Sequence, residues 1–121
     1  MDSPRIALIR RLFDLMETED LSRVAEELLA NSVEDVVFEP HLAHGEEIRG
    51  HEALRRFWSD FEEGGLQMRA GAYSIVEQGE TVVVNGWVRT IDQGRLADTQ
   101  SRWVYRFNDQ NQVVSARVER G

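Results

Sequence analysis

The stretch DVVFEPHLAHGEEIRGHEALRRFWSDF, residues 35–61, decides the fold of this 121-residue chain. It begins with a short apolar strand, Val36–Phe38, which runs into Glu39 and Pro40. Proline cannot donate a hydrogen bond to a sheet and keeps the residue before it extended. The pattern therefore places the Glu39 carboxylate at the edge of the apolar region that the strand covers. A polar loop follows, and Gly50 then begins a helix.

That helix has one apolar face, because Leu54, Phe57, Trp58 and Phe61 recur at the i, i+3, i+4, i+7 spacing. Two more helices precede the stretch. The first begins after Ser3–Pro4, a residue pair typical of a helix N-cap and first helical position, and ends near residue 17. The second begins near residue 20, and a polar break is predicted over residues 30–34.

After Gly64–Gly65, which ends the third helix, the pattern becomes that of strands separated by turns. The predicted strands span residues 67–77, 81–91, 95–107 and 113–119, with room for a bulge at 70–72. Helices followed by a meander of long strands predict an α+β fold. With no linker or repeat in the sequence, residues 1–121 form one predicted domain.

The amino-acid composition excludes several kinds of chemistry and several classes of partner. The chain has no cysteine and no lysine, which excludes disulfides, thiolate nucleophiles and internal Schiff bases. Its net charge of −8 gives no electrostatic drive toward nucleic acid or an anionic membrane surface. No apolar run reaches the ~18 residues of a membrane span, and the first residues lack a secretory layout. We therefore expect a cytoplasmic protein.

The order of these features resembles the nuclear transport factor 2-like superfamily, with its SnoaL-like and ketosteroid-isomerase-like branches. The features that match are the strand that ends in an acidic residue and a proline, the loop after it, and the glycine followed by the helical sequence EALRRFW. The helix entry at Glu19–Leu21 before this stretch and the segment Val104–Arg117 near the end of the chain match too. The resemblance implies a cone of three N-terminal helices packed on a strongly curved, mostly antiparallel sheet.

The resemblance also implies a catalytic residue. In the isomerase branch, the carboxylate that shuttles a proton stands immediately before this proline, which places the role on Glu39. A carboxylate that faces an apolar pocket has its pKa raised by desolvation and becomes a base near neutral pH. The alternative is a rim glutamate that caps the loop or pairs with Arg49. The isomerase's oxyanion donors fall on Leu12 and Trp103, which do not reproduce that donor pair, so a steroid isomerase is not expected.

His41 and His44 follow Glu39 within five residues. They are candidate proton partners of Glu39, candidate ligands of a divalent metal with Glu46 and Glu47, or solvated loop residues. The pair lies in a loop and no second cluster completes a ligand shell, so neither a metal nor a cofactor is predicted.

Large side chains on the helices and strands form the predicted ligand pocket. Its lining is Leu12, Trp58, Tyr73, Trp103 and Tyr105, and core packing is the alternative for each of them. On the strand over 95–107, Trp103 and Tyr105 share one face while Arg102, Val104 and Arg106 share the other. Together with Trp87 and Arg89 of the preceding strand, the second face mixes apolar and arginine side chains, which suits a protein interface. The resemblance implies a homodimer through this face.

The sequence is compatible with two functions. One is a small cofactor-free enzyme that isomerises, cyclises or hydrates an apolar carbonyl compound, with Glu39 as the base. The other is a non-catalytic ligand-binding or dimerisation module of the same fold, since a fold hosts many functions.

Overall fold

The computed structural model describes residues 2–18, 21–40, 47–65 and 67–120. Its helices are α1 (Pro4–Glu17), α2 (Leu21–Ala30) and α3 (His51–Glu63). Its strands are β1 (Ser32–Glu39), β2 (Ile48–Arg49), β3 (Gln67–Gln78), β4 (Thr81–Asp92), β5 (Arg95–Phe107) and β6 (Val113–Arg120). The architecture is the α+β one predicted, with the three helices packed on a mostly antiparallel, curled sheet.

The predicted start of α1 is confirmed. Ser3 is the N-cap, Pro4 is the first helical residue, and the Ile6 N–H donates to the Ser3 hydroxyl oxygen at 3.2 Å. These contacts satisfy one of the free N–H groups that every helix leaves at its start.

One six-stranded sheet has the order β2-β1-β6-β5-β4-β3. All neighbours are antiparallel except β1 and β6, which run parallel. The two parallel strands bring Phe38 opposite Ala116 and Glu39 opposite Arg117. The organising stretch is therefore joined to the last strand of the chain, across more than seventy residues of sequence.

Two boundaries differ from the prediction. The residues 30–34 were expected to be a polar break, but β1 already begins at Ser32, whose hydroxyl donates to the Leu28 carbonyl oxygen at 2.5 Å and which pairs with Val113. The two-residue strand β2 was not predicted at all. It exists because Ile48 and Arg49 pair with Phe38 and Val37.

Side chains alternate between the two faces of the sheet. The helices cover one face, here called the inner face, and α1 packs on it with the Phe13 and Trp103 rings edge to face at 4.8 Å. Its buried strand residues are Val36, Phe38, Ala70, Val82, Val84, Trp103, Tyr105, Phe107 and Ala116. The opposite face, here called the outer face, has no helix on it in the described part of the chain.

The long β3–β4 pairing contains one irregularity. Its register shifts between Ala72 and Ser74, which leaves Tyr73 as an extra residue in β3. The bulge falls slightly later than the predicted 70–72. Bulges increase the local twist of a sheet, and this one contributes to the curl that closes the sheet around the helices.

Candidate functional site

The inner face carries a continuous row of side chains across four strands. Phe38 of β1 lies opposite Ala116 of β6, Ala116 lies opposite Tyr105 of β5, and Tyr105 lies opposite Val82 of β4. Ala116 is the smallest of these side chains and stands between two aromatic ones. Sequence reasoning selected Tyr105 but not Phe38 or Ala116, although the alternation in VVSARVE was a usable signal for Ala116.

Helix α3 adds aromatic rings at the β1 end of this row. The Trp58 ring stacks on Phe38 with centroids 5.9 Å apart, and Phe57 meets Phe38 edge to face at 5.6 Å. Phe61 lies 6.0 Å from Trp58 and 5.0 Å from Phe57. The i, i+3, i+4 spacing noticed in the sequence therefore produces one aromatic cluster over the end of β1.

Three polar atoms on this side of the sheet lack acceptors. The Trp58 indole Nε1 is buried and has no hydrogen-bond partner in the described structure. The Trp103 indole N–H and the Tyr105 hydroxyl likewise form no hydrogen bond among the described residues, although both side chains are buried. Burial raises the pKa of the Tyr105 hydroxyl above its ordinary value, so it stays a protonated donor.

Of the predicted pocket residues, four lie on the helix-covered side. Leu12 is buried in the core from α1, Trp58 belongs to the aromatic cluster, and Trp103 and Tyr105 are buried on β5. Tyr73 does not join them. It occupies the β3 bulge, is 65% exposed, and its hydroxyl accepts a hydrogen bond from Gln100 of the outer face at 3.4 Å. The extra residue in the strand explains why it does not point inward.

Glu39 does not face the apolar interior either. It pairs with Arg117, which lies opposite Val104, and paired residues share a face of the sheet. Val104 stands between the inward-facing Trp103 and Tyr105, so this row belongs to the outer face. The physical reason is the alternation of β1: because Phe38 points inward, the next residue points outward.

The pairing with Arg49 suggested as an alternative role for Glu39 is not seen, and the loop that Glu39 was alternatively expected to cap lies outside the described residues. In the described part of the chain Glu39 forms no ion pair, and Arg49 pairs with Glu47 at 3.6 Å instead. His41 and His44, the two other predicted catalytic residues, lie outside the described residues. The third histidine, His51, is half-buried at the start of α3, with its Nε2 3.0 Å from the Val33 carbonyl oxygen.

The outer face has the residues predicted for it. Trp87, Arg89, Arg102, Val104 and Arg106 all lie there, as the register of β4 and β5 requires. Arg89 donates to both carboxylate oxygens of Asp98, at 2.8 and 3.0 Å. These hydrogen bonds lower the pKa of the Asp98 carboxyl and raise that of the Arg89 guanidinium. The exposed large apolar side chains found in the described ranges, Tyr73, Val76 and Leu96, lie on this face too.

Within the described ranges, no three His, Asp or Glu side chains are grouped so that they could hold a metal ion. No helix among the described residues has the length and apolar character needed to cross a membrane.

Solved structures with this fold come from several proteins. A nuclear transport factor 2-like protein of unknown function from Burkholderia pseudomallei K96243 aligns with 99% of this chain and 92% of its own, at 22% identity and a TM-score of 0.82. A putative SnoaL-like polyketide cyclase from Jannaschia sp. CCS1 aligns with 98% of this chain and 88% of its own, at 17% identity and a TM-score of 0.73.

TerC, crystallised with polyporic acid, aligns with 98% of this chain and 92% of its own, at 21% identity and a TM-score of 0.79. Among curated proteins none matches the chain. The family model for the SnoaL-like domain matches residues 9–116, which includes all or part of every described helix and strand. The chain belongs to the SnoaL-like domain family, within the nuclear transport factor 2-like fold.

Proposed function

We propose that this SnoaL-like domain binds an apolar, carbonyl-bearing small molecule on its inner face and acts on it by proton transfer without a cofactor. The observation that carries the proposal is the buried Trp58 N–H, which has no acceptor in the described structure. The same side of the sheet also holds the buried Trp103 and Tyr105 side chains. A buried donor without a partner costs about 1–3 kcal/mol, and a ligand carbonyl would recover that cost.

The chemistry of these donors fits a carbonyl oxygen. Indole and phenol groups donate hydrogen bonds while their rings form apolar walls. Donors in a site that excludes water stabilise the negative charge that develops on a carbonyl oxygen when a proton is removed next to it. Isomerisation, aldol-type cyclisation and hydration all pass through such a charge. The names of two structural relatives, a polyketide cyclase and a protein crystallised with polyporic acid, also support a small organic ligand.

The proton acceptor in this proposal is His41 or His44. A histidine has an ordinary pKa of about 6.5, which makes it a suitable base near neutral pH. Glu39 is not given this role here, because its position on the outer face separates it from the inner-face donors.

Binding is tested with two probes of similar shape, 2-acetylnaphthalene and 2-ethylnaphthalene, followed by NMR titration. We expect the ketone to bind about tenfold more tightly than the hydrocarbon, which is the effect of one good hydrogen bond. Tyr105→Phe keeps the ring and removes the hydroxyl donor, and Trp58→Phe replaces the indole with a smaller aromatic ring that has no N–H, so each should reduce that preference. Equal affinity for both probes in the unaltered protein would refute the carbonyl site.

Catalysis is tested by exchange of the acetyl methyl protons of the same ketone in heavy water. We expect the protein to accelerate deuterium uptake, His41→Asn with His44→Asn to abolish the acceleration, and Glu39→Gln to leave it unchanged. Binding of the ketone without accelerated exchange would favour the alternative, a non-catalytic ligand-binding module. A large loss of exchange in Glu39→Gln would restore Glu39 as the base.

A second part of the proposal concerns assembly. We infer that two copies associate through the outer face, because exposed Tyr73, Val76 and Leu96 lie there beside half-buried Trp87. Apolar side chains interspersed with arginines are characteristic of protein interfaces.

A further inference from the structure

The outer face holds a pocket that includes Val104 and Arg106 of the predicted dimer face but reaches beyond them onto β6 and β1. It has a volume of about 250 Å³ and extends from β1 across β6 and β5 to Thr81 at the start of β4. Its lining residues are Glu39, Thr81, Val104, Arg106, Ser115, Ala116 and Arg117. This volume is just below the usual range for drug-sized ligands and suits a molecule with a single ring.

Three arginines surround Val104 in and beside this pocket. Arg102 and Arg106 are its next neighbours on the same face of β5, and Arg117 lies opposite it on β6. Only Arg117 has an acidic partner among the described residues, Glu119 at 2.5 Å. Like charges held this close repel each other unless an anion lies between them.

Arg102 and Arg106 have no carboxylate partner among the described residues, although the chain is acidic. Its net charge is −8, and arginines of the helices find carboxylates: Arg10 with Asp2, and Arg55 with Glu26. Carboxylates are therefore in excess, yet neither Arg102 nor Arg106 pairs with one in the described structure. A bound anion would provide the missing partner.

Hydroxyl groups flank Arg106 on both neighbouring strands. Ser115 lies opposite it on β6 and Thr81 lies opposite it on β4. The Thr81 hydroxyl donates to the Gln78 carbonyl oxygen at 2.9 Å, and the Ser115 hydroxyl has no hydrogen-bond partner in the described part. A guanidinium presents two parallel N–H groups that match the two oxygens of a carboxylate, and the free serine hydroxyl adds a third donor.

Glu39 gives the pocket a second end of opposite charge. It lies one strand beyond Arg117 and has no partner among the described residues. Its carboxylate repels a highly charged anion and accepts a hydrogen bond from a hydroxyl or an ammonium group. Val104, next to Arg106 along the same face of β5, offers an apolar surface at the side of the pocket.

We infer that this outer-face pocket binds a small organic carboxylate that carries a hydroxyl or ammonium group at its other end. Arg106 and Ser115 hold the carboxylate, and Glu39 accepts the hydrogen bond from the far group. The site is separate from the proposed inner-face site, because the sheet lies between them.

The experiment titrates the protein with 4-hydroxybenzoate and, in parallel, with the uncharged 4-hydroxybenzamide, followed by amide NMR shifts. We expect saturable binding of the carboxylate at the pocket strands and about tenfold or greater weakening in Arg106→Gln, which removes a charge-assisted pair of hydrogen bonds. The matched control is Arg95→Gln, an exposed arginine at the β4–β5 turn that also has no partner in the described structure.

Glu39→Gln tests the other end. It should reduce the preference for 4-hydroxybenzoate over benzoate, while the affinity for benzoate itself stays the same or rises. Equal affinities in Arg106→Gln and Arg95→Gln, or no preference of the unaltered protein for the acid over the amide, would overturn the inference. Neither result bears on the inner face, which is tested with the uncharged ketone.

Discussion

Gly86 lies where the sheet has no room for a side chain. A Cβ added there would lie 2.0 Å from the Gly71 carbonyl oxygen and 3.1 Å from the Ala72 Cα, both of them backbone atoms of the neighbouring strand. The Tyr73 bulge is next to this point. Glycine is required here by the close approach of two backbones, a property that no local pattern in the sequence reveals.

We therefore expect Gly86→Ala to lower the free energy of unfolding by about 3 kcal/mol, the upper part of the range for overpacking. Gly71→Ala is the matched variant, because its Cβ would meet the Trp87 indole at 2.5 Å. A side chain can move aside, so the loss should be nearer 1 kcal/mol, with a change in tryptophan fluorescence. Urea unfolding measures both, and equal losses would contradict the account.

The buried Tyr105 hydroxyl is expected to make the stability of the folded protein depend on pH. In the folded protein, burial raises the pKa of the Tyr105 hydroxyl above its ordinary value of about 10. The folded protein then holds this proton more tightly than the unfolded chain does. The stability this provides is complete below pH ~10 and is lost as the pH rises above that value.

The measurement uses the Tyr73→Phe variant. The chain has two tyrosines, so Tyr105 is the one that remains. We expect no tyrosinate absorbance near pH 11 while the protein is folded, and its appearance on unfolding in denaturant at the same pH. Ionisation of the folded protein near the ordinary pKa would show that the hydroxyl is open to water.

At the scale of elements, one side chain of helix α1 makes several polar contacts with the turns of the sheet. Arg5 donates to the Asn111 side-chain oxygen at 2.7 Å and to the carbonyl oxygens of Gly79 and Asn108 at 3.2 and 3.1 Å. Its guanidinium also lies 5.4 Å from the centre of the Phe107 ring. One arginine of the first helical turn thus joins α1 to the β3–β4 and β5–β6 turns.

Arg5→Met should therefore cost about 2–3 kcal/mol, because it leaves carbonyl groups without donors and removes a charged hydrogen-bonding group. Arg10→Met is the control from the same helix. Among the described residues Arg10 pairs only with Asp2, and it is more than half exposed, so its loss should cost no more than about 0.5 kcal/mol. Thermal unfolding of the two variants would refute this role if their midpoints were the same.

The elements themselves were largely predictable from the sequence. The helical faces and the turn glycines specify α1–α3 and β3–β6 to within a residue or two at most ends, since periodicity and turn chemistry are local properties. The strand β2 and the early start of β1 were not predictable in this way. Both depend on pairing with residues distant along the chain, such as Val113 for Ser32.

Glu39 shows how the site could be misread. The family resemblance placed its carboxylate in the apolar interior, whereas the alternation Val36, Val37, Phe38 already indicated the opposite face for the next residue. The two sources of inference disagreed, and the local period of two was the correct guide to orientation. Tyr73 was misplaced for a different reason, since a bulge changes the alternation and is set by the neighbouring strand.

For the whole molecule, the sheet separates two kinds of surface. Among the described residues, the inner face is apolar with a few unbonded donors. The outer face combines exposed apolar side chains with arginines and with the pocket between Glu39 and Arg106. An exposed apolar area on one face of a sheet usually marks a place where another molecule binds. A second copy is the occupant we propose, with the exposed residues of β3–β5 at the centre of contact.

Val76→Asp tests this assembly. Val76 is 44% exposed on the outer face, so the substitution should leave the fold intact and place a desolvated charge in the interface. We expect sedimentation equilibrium to show a dimer for the unaltered protein and at least about tenfold weaker association for Val76→Asp. Ala53→Asp introduces the same charge on exposed α3 and should leave association unchanged. A monomer at all concentrations, or equal weakening by both variants, would exclude the outer face as the interface, and the exposed side chains would then need a different partner.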